Sequence, residues 1–145
     1  MASNSEPSAK PAEPGLARRL GAIAYDSLLL TAVLFVATAA LLPVTGGEAI
    51  RPASSWYSAY LVVVSFGYFG WFWTHGGQTL GMRSWRLRLT GAGNNGATWR
   101  QALVRFVAAG LSWLAFGAGF LWMLVDSERL TWHDRISATR IVGLS

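Results

Sequence analysis

Asp26 is the residue to which the sequence gives the clearest chemistry, because it is a carboxylate at the start of a long apolar stretch. The next charged residue along the chain is Glu48. An ionised carboxylate at the centre of a membrane helix costs roughly 2.5–3.5 kcal/mol, and less near the interface. Such a residue belongs by default to a functional site or to a buried pair.

Arg19 is a basic residue on the same predicted helix, seven positions before Asp26. That spacing places both residues on one helix face, about 10 Å apart along the axis. The two side chains could extend toward each other, or each could pair with another segment. A purely structural buried pair that fixes the helix register stays open beside a functional role.

Two glycine patterns resemble nucleotide-binding motifs, and neither has the context that such a motif requires. Residues 91–96 read G-x-G-x-x-G, but the dinucleotide fold also needs a βαβ unit and an acidic residue about 20 positions later. Residues 76–81 have the glycine spacing of a phosphate loop. Met82 and Arg83 stand there in place of the required Lys and Ser or Thr. We interpret both stretches as turns and predict no cofactor.

Catalytic and metal-binding constellations are not readable in the sequence. The chain has no cysteine, and His75 and His133 each lack a second ligand at helical spacing. No Ser/His/Asp arrangement can be recognised either. We therefore expect no metal site and no enzymatic activity.

Long charge-free runs are the main feature of the 145-residue chain, which is 52% hydrophobic and 13% charged, against about 25% charged in a typical soluble domain. A helix needs about 20 apolar residues to cross a membrane. The charge-free runs are Ser27–Gly47, Pro52–Met82 and Phe106–Val125. They predict an all-α membrane protein with about three transmembrane helices, at about 20–42, 56–73 and 104–125. A soluble all-α core would need other helices with polar outer faces, which the sequence lacks.

The distribution of Lys and Arg predicts the orientation. Basic residues precede the first span and fill the loop at 75–105, whereas the 43–55 loop has only Arg51, beside Glu48. We predict an integral inner-membrane protein with a cytoplasmic N-terminus and a basic cytoplasmic loop. The Arg-rich stretch 83–105 would contact anionic lipid headgroups rather than nucleic acid.

The two ends of the chain lead to further expectations. Residues 1–15 are rich in Pro, Ser, Ala and Glu, and we predict a flexible tail followed by one membrane domain over 16–143. A cleaved signal peptide is the alternative for the first span. Its apolar stretch is longer than the roughly 7–15 residues of such a segment, so we favour a retained span. Thr98 and Gln101 predict a capping box that opens a helix continuing to Val125.

Three blocks of the sequence together resemble the RDD family of small bacterial membrane proteins. The blocks are Arg19–Asp26, Gly77–Gly81 and Trp132–Thr139, and the resemblance covers roughly residues 15–143. It implies that Arg19, Asp26 and Asp134 are the arginine and the two aspartates that name the family. It also implies a motif loop formed by Gly77, Gln78, Thr79 and Gly81. The family usually has Lys where this chain has Met82.

The resemblance leaves two classes of function open. Most members of the family have no assigned role, and some are linked to cation/proton antiport. A membrane carboxylate such as Asp26 could exchange a proton for a cation, and three spans would then require a homo-oligomer or a membrane partner. The alternative is a non-catalytic scaffold or partner subunit whose charged trio is structural. If Asp134 acts with Arg19, the tail must return to the cytoplasmic side, which a bend at Gly117–Gly119 would allow.

Overall fold

The computed structural model describes residues 13–144 and is mostly helical, as the sequence predicts. Most of the predicted flexible tail lies outside the described residues. In the described part, the helices are α1 (Leu16–Ala39), α2 (Ser55–Thr74), α3 (Leu80–Ser84), α4 (Trp99–Leu114), α5 (Ala118–Leu121) and α6 (Trp132–Ile136). The strands are β1 (Leu87–Thr90) and β2 (Arg140–Gly143), and short 3₁₀ turns cover Ala92–Asn94 and Trp122–Leu124.

Helix α1 buries charged residues and exposes large apolar ones, which is the reverse of what a water-soluble helix does. It has 24 residues, about 36 Å at 1.5 Å per residue. Its buried residues are Arg19, Ala22 and Asp26, whose spacing of three and four puts them on one face. Large apolar side chains such as Leu28 and Phe35 point outward instead. Among the residues described, α1 alone is long and apolar enough to cross a membrane as a single helix.

Helix α2 matches the extent predicted for the second span and packs on α1. The Tyr57 and Thr38 hydroxyls are hydrogen-bonded at 2.8 Å, and the Tyr60 hydroxyl donates to the Ala37 carbonyl at 3.0 Å. The helix contains many Trp, Tyr, Ser and Gly residues. Because these residues lower its mean hydropathy, α2 is not among the helices apolar enough to be a candidate span by itself.

The prediction of one continuous helix from Thr98 to Val125 is wrong. The predicted capping box of Thr98 and Gln101 does open α4, but this helix ends at Leu114. Phe116 and Gly117 then adopt left-handed conformations, with φ of 56° and 75°, and the following segment turns by 104°. Glycine tolerates positive φ, and this is where the chain turns. The assignment of 104–125 as a span stays a prediction.

The two strands bring the C-terminal segment back beside the loop that follows α2. β1 and β2 pair antiparallel, with Leu87 opposite Gly143 and Thr90 opposite Arg140. Leu87 and Leu89 point inward and are almost fully buried, in a core with Ala22 and other residues. The tail and the basic loop therefore lie together on one side of the molecule.

Candidate functional site

Asp134 is the centre of a buried ionic network. Arg19 Nη1 donates to Asp134 Oδ2 at 3.0 Å, and Arg105 Nη1 donates to Asp134 Oδ1 at 2.5 Å. Arg105 Nη1 also donates to the Thr139 hydroxyl at 3.0 Å. The Asp134 side chain has no exposed surface. The network therefore ties α1, α4 and the C-terminal segment together in the interior.

Local structure holds Asp134 in place. Thr131 and Asp134 form a capping box at the start of α6. The Thr131 backbone N–H donates to Asp134 Oδ2 at 3.1 Å, and the Asp134 backbone N–H donates to the Thr131 hydroxyl at 3.3 Å. One carboxylate thus caps a helix and accepts from two guanidinium groups, so its orientation is fixed from several directions.

Asp26 belongs to a second network, which is built from the motif loop. Gly81 N–H donates to Asp26 Oδ1 at 2.9 Å, the Tyr68 hydroxyl donates to the same oxygen at 3.3 Å, and the Thr79 hydroxyl donates to Oδ2. Thr79 is also the N-cap of α3 and accepts from the Met82 N–H. Asp26 therefore binds the beginning of α3 to the inner face of α1.

The glycines of the motif loop are explained by close contacts. A Cβ atom at Gly81 would overlap the Ala22 carbonyl and the Asp26 carboxylate, and a Cβ at Gly77 would overlap the Leu89 carbonyl. Gly77 also has a φ of 69°. Gln78 Nε2 donates to the Leu87 carbonyl at 2.7 Å. The loop thus joins α1 and β1 at once.

The structure separates the two aspartates that the family resemblance groups together. Arg19 pairs with Asp134, whereas Asp26 accepts from the motif loop and from Tyr68. The second sequence-based possibility, that Arg19 and Asp26 each pair with another segment, is the one that occurs. Arg105 is a site residue that the sequence indicated only through its positive charge in the basic loop. Its position directly before the charge-free run 106–125 was the available indication.

Burial and charge set the ionisation states at the C-terminal network. Burial, together with the positive charges of Arg105 and Arg19, lowers the pKa of His133 to about 3, so the imidazole is neutral. Burial raises the pKa of Asp134, but the positive charges of Arg105 and Arg19 outweigh it and hold this pKa well below its ordinary value. Asp134 is therefore an anion between two cations at neutral pH.

A cavity of about 370 Å³ adjoins both networks. Arg19, Arg105 and His133 line one part of it, Asp26 and Thr79 another, and the remainder is largely apolar. Between Glu13 and Leu144, no three His, Cys, Asp or Glu side chains form a group that could hold a metal ion. The chemistry available at this cavity is therefore that of paired charges, hydroxyls and an apolar wall.

Comparison with known proteins identifies the family. The model of the RDD family matches residues 13–138, which is most of the chain. No curated protein and no solved structure matches the sequence. The matched segment contains Arg19, Asp26, Asp134 and the motif loop. The chain belongs to the RDD family, which is a family of membrane-associated proteins.

Proposed function

We propose that this chain is a multi-pass protein of the bacterial inner membrane, with α1, α2 and the bent segment formed by α4 and α5 in the bilayer. Its outer surface supports this placement. Phe35 is 75% exposed, Leu114 80% and Phe116 98%, while Arg19 and Asp26 are buried. Exposed large apolar side chains of this kind are typical of a surface that contacts lipid or another protein.

The proposed topology puts the N-terminus, the basic loop and the C-terminal segment all in the cytoplasm. Positive charge in the first two favours this side. The third is joined to them by the β1–β2 pairing and by the bond between Arg19 and Asp134. Because the chain turns at Phe116 and Gly117, α4 and α5 would enter and leave the bilayer on the same side.

Single cysteines test this topology, because the native chain has none. Ala49→Cys, Ala92→Cys and Ser127→Cys are exposed positions in the 43–55 loop, the basic loop and the C-terminal segment. We expect an impermeant maleimide to label only Ala49→Cys from the periplasmic side and to label the other two after permeabilisation. Labelling of Ser127→Cys from the periplasm would contradict the proposal.

The function that the geometry supports best is that of a non-catalytic membrane scaffold or partner subunit whose charged residues hold the helices together. The observation that carries this proposal is the complete burial of Asp134 between Arg19 and Arg105. Both oxygens of this carboxylate already accept hydrogen bonds from arginines, so the carboxylate is not available to bind a substrate. The proposal includes no enzymatic reaction, no cofactor and no nucleic acid.

Partners of the scaffold would be anionic lipids and other membrane proteins. Four arginines of the basic loop are exposed, and their charges would face lipid headgroups. They are Arg83, Arg86, Arg88 and Arg100. Arg105 does not belong to this surface, because it is buried against Asp134. A second copy or another membrane protein would bind the exposed apolar faces.

Cation/proton exchange at Asp26 is the second candidate, because this carboxylate lines the cavity. Its test begins with Asp26→Asn and Asp26→Ala. The asparagine retains an acceptor for the Gly81 N–H, whereas alanine leaves buried donors without a partner, each costing about 1–3 kcal/mol. If Asp26 is structural, thermal unfolding will show a folded asparagine variant and a strongly destabilised alanine variant. Equal stability of both variants, with loss of ion exchange, would favour transport.

A further inference from the structure

The polar part of the cavity has more hydrogen-bond donors than acceptors. Arg19, Arg105 and His133 line it and are only 5%, 4% and 4% exposed. Each arginine forms its ion pair through Nη1, and its buried Nε has no partner among the residues from Glu13 to Leu144. The Nδ1 of His133 also has no partner within the same range. Buried polar groups in native proteins are normally hydrogen-bonded, so this region lacks an acceptor.

Direct ion pairing in this region involves fewer carboxylates than guanidinium groups. Two guanidinium groups face one carboxylate, that of Asp134, and His133 is neutral. Asp26 also lines the cavity, but its oxygens already accept from Thr79, Gly81 and Tyr68. The unpartnered Nε lies on one edge of each guanidinium, and such an edge can bind a carboxylate or a phosphate in a bidentate manner. An anionic group would accept hydrogen bonds from these unpartnered donors.

The rest of the cavity suits a hydrocarbon chain. Its walls include Ile23, Leu30, Phe69, Phe106 and Trp113. The lining residues of α1 run from Arg19 to Leu30, which is about 16 Å along the helix axis. A volume of about 370 Å³ is near the lower end of the roughly 300–1,000 Å³ of ligand pockets. The space therefore fits one chain better than the two chains of a phospholipid.

We propose that this cavity binds a single-chain acidic amphiphile, with its carboxylate or phosphate on Arg19, Arg105 and His133 and its chain along Ile23, Phe69 and Trp113. The proposal goes beyond the scaffold function and does not depend on ion exchange at Asp26. It uses the membrane placement proposed above only as the source of the ligand. In that placement, the charged group lies at the cytoplasmic end of the cavity.

Fluorescence quenching by dibromostearate tests the proposal, because Trp73 and Trp113 line the cavity. The protein is placed in phosphatidylcholine nanodiscs, and the methyl ester of the same acid is the uncharged control. We expect saturable quenching by the acid and only non-saturable quenching by the ester. The saturable part should disappear in the double variant Trp73→Phe/Trp113→Phe. This comparison of acid and ester uses the native chain, so it does not depend on the folding of any variant.

Two glycine variants provide a matched pair. Gly110 lines the cavity and Gly67 does not, and a Cβ atom at either position meets nothing within 4 Å. Gly110→Leu should fill the apolar part and weaken the saturable binding by about tenfold or more, and about tenfold corresponds to 1.4 kcal/mol. Gly67→Leu should leave it unchanged.

Competition then distinguishes the two sources of the anionic group. Displacement of dibromostearate by oleate identifies a carboxylate ligand, and displacement by oleoyl lysophosphatidate identifies a phosphate ligand. Either result supports the proposal. Equal quenching by acid and ester, saturable quenching that survives in the double tryptophan variant, or displacement by neutral monoolein alone would overturn it. None of these outcomes bears on the cysteine-labelling test of topology, so failure of the ligand site and failure of the membrane placement can be told apart.

Discussion

At the scale of single residues, the two family aspartates perform different structural tasks. Asp134 forms ion pairs with two buried guanidinium groups, whereas Asp26 accepts hydrogen bonds from uncharged donors at the start of α3. The sequence indicated Asp26 through its position at the start of an apolar run, and it indicated Asp134 only through the resemblance to the family. It did not identify their partners. Arg19 and Asp134 are 115 positions apart, and no local pattern encodes such a contact.

Arg105→Gln should strongly destabilise the protein. Removing one partner of a buried ion pair costs about 3–5 kcal/mol, and Arg105 also holds Thr139. Arg100→Gln, on the same helix but exposed, is the matched control and should change the free energy of unfolding by about 0.5 kcal/mol or less. Thermal unfolding of the purified proteins in detergent measures both. Similar stability of the two variants would show that the buried network contributes little.

His133 should make the protein less stable in mildly acidic solution. The unfolded state takes up a proton as the pH falls through 6.5, while the folded state stays neutral until about pH 3. The unfolded state therefore binds more protons in this window. The contribution of His133 is complete above pH 6.5 and decreases toward pH 3, by up to about 1.4 kcal/mol per pH unit.

The measurement is the midpoint of thermal unfolding at pH 7 and pH 5, in the wild type and in His133→Gln. We expect the difference between the two pH values to be smaller in His133→Gln. The exposed His75 provides a control, and His75→Gln should behave like the wild type. An identical pH dependence in all three proteins would refute the buried neutral state of His133.

At the scale of elements, the bend after α4 decides how the C-terminal segment reaches the first helix. The sequence predicted the start of α4 from Thr98 and Gln101, because a capping box is a local signal. It did not predict the end at Leu114, because Phe116 adopts a left-handed conformation that its residue type disfavours. The contacts of α6 with Arg19 and Arg105 are non-local and hold this bend in place.

Gly117→Ala should destabilise the bend, because a left-handed conformation costs a residue with a Cβ atom about 1–2 kcal/mol. Gly110→Ala is the matched control inside α4, where alanine should be neutral or stabilising by up to about 1 kcal/mol. Both changes add one methyl group, and a Cβ atom at either position meets nothing within 4 Å. The midpoint of thermal unfolding should therefore decrease in Gly117→Ala and stay the same or increase in Gly110→Ala. A lower stability for Gly110→Ala than for Gly117→Ala would contradict the observed backbone.

At the scale of the whole molecule, several charged residues are buried, whereas many large apolar side chains of the helices are exposed. The charge-free runs predicted long apolar helices, and α1 is one such helix. The relative side of the C-terminal segment could not be predicted, because its charges are balanced: Asp126, Glu128 and Asp134 stand against Arg129, Arg135 and Arg140. The pairing of β1 with β2 supplies that information.

Sodium-driven proton movement in proteoliposomes is the most direct test of whether the buried carboxylates are structural. The comparison is between the wild type and a folded Asp26→Asn variant, with protein-free vesicles as the baseline. If Asp26 only binds the motif loop to α1, both proteins will give the flux of the protein-free vesicles. A sodium-dependent proton flux in the wild type that is lost in the folded Asp26→Asn variant would contradict the structural role and establish Asp26 as an ion carrier.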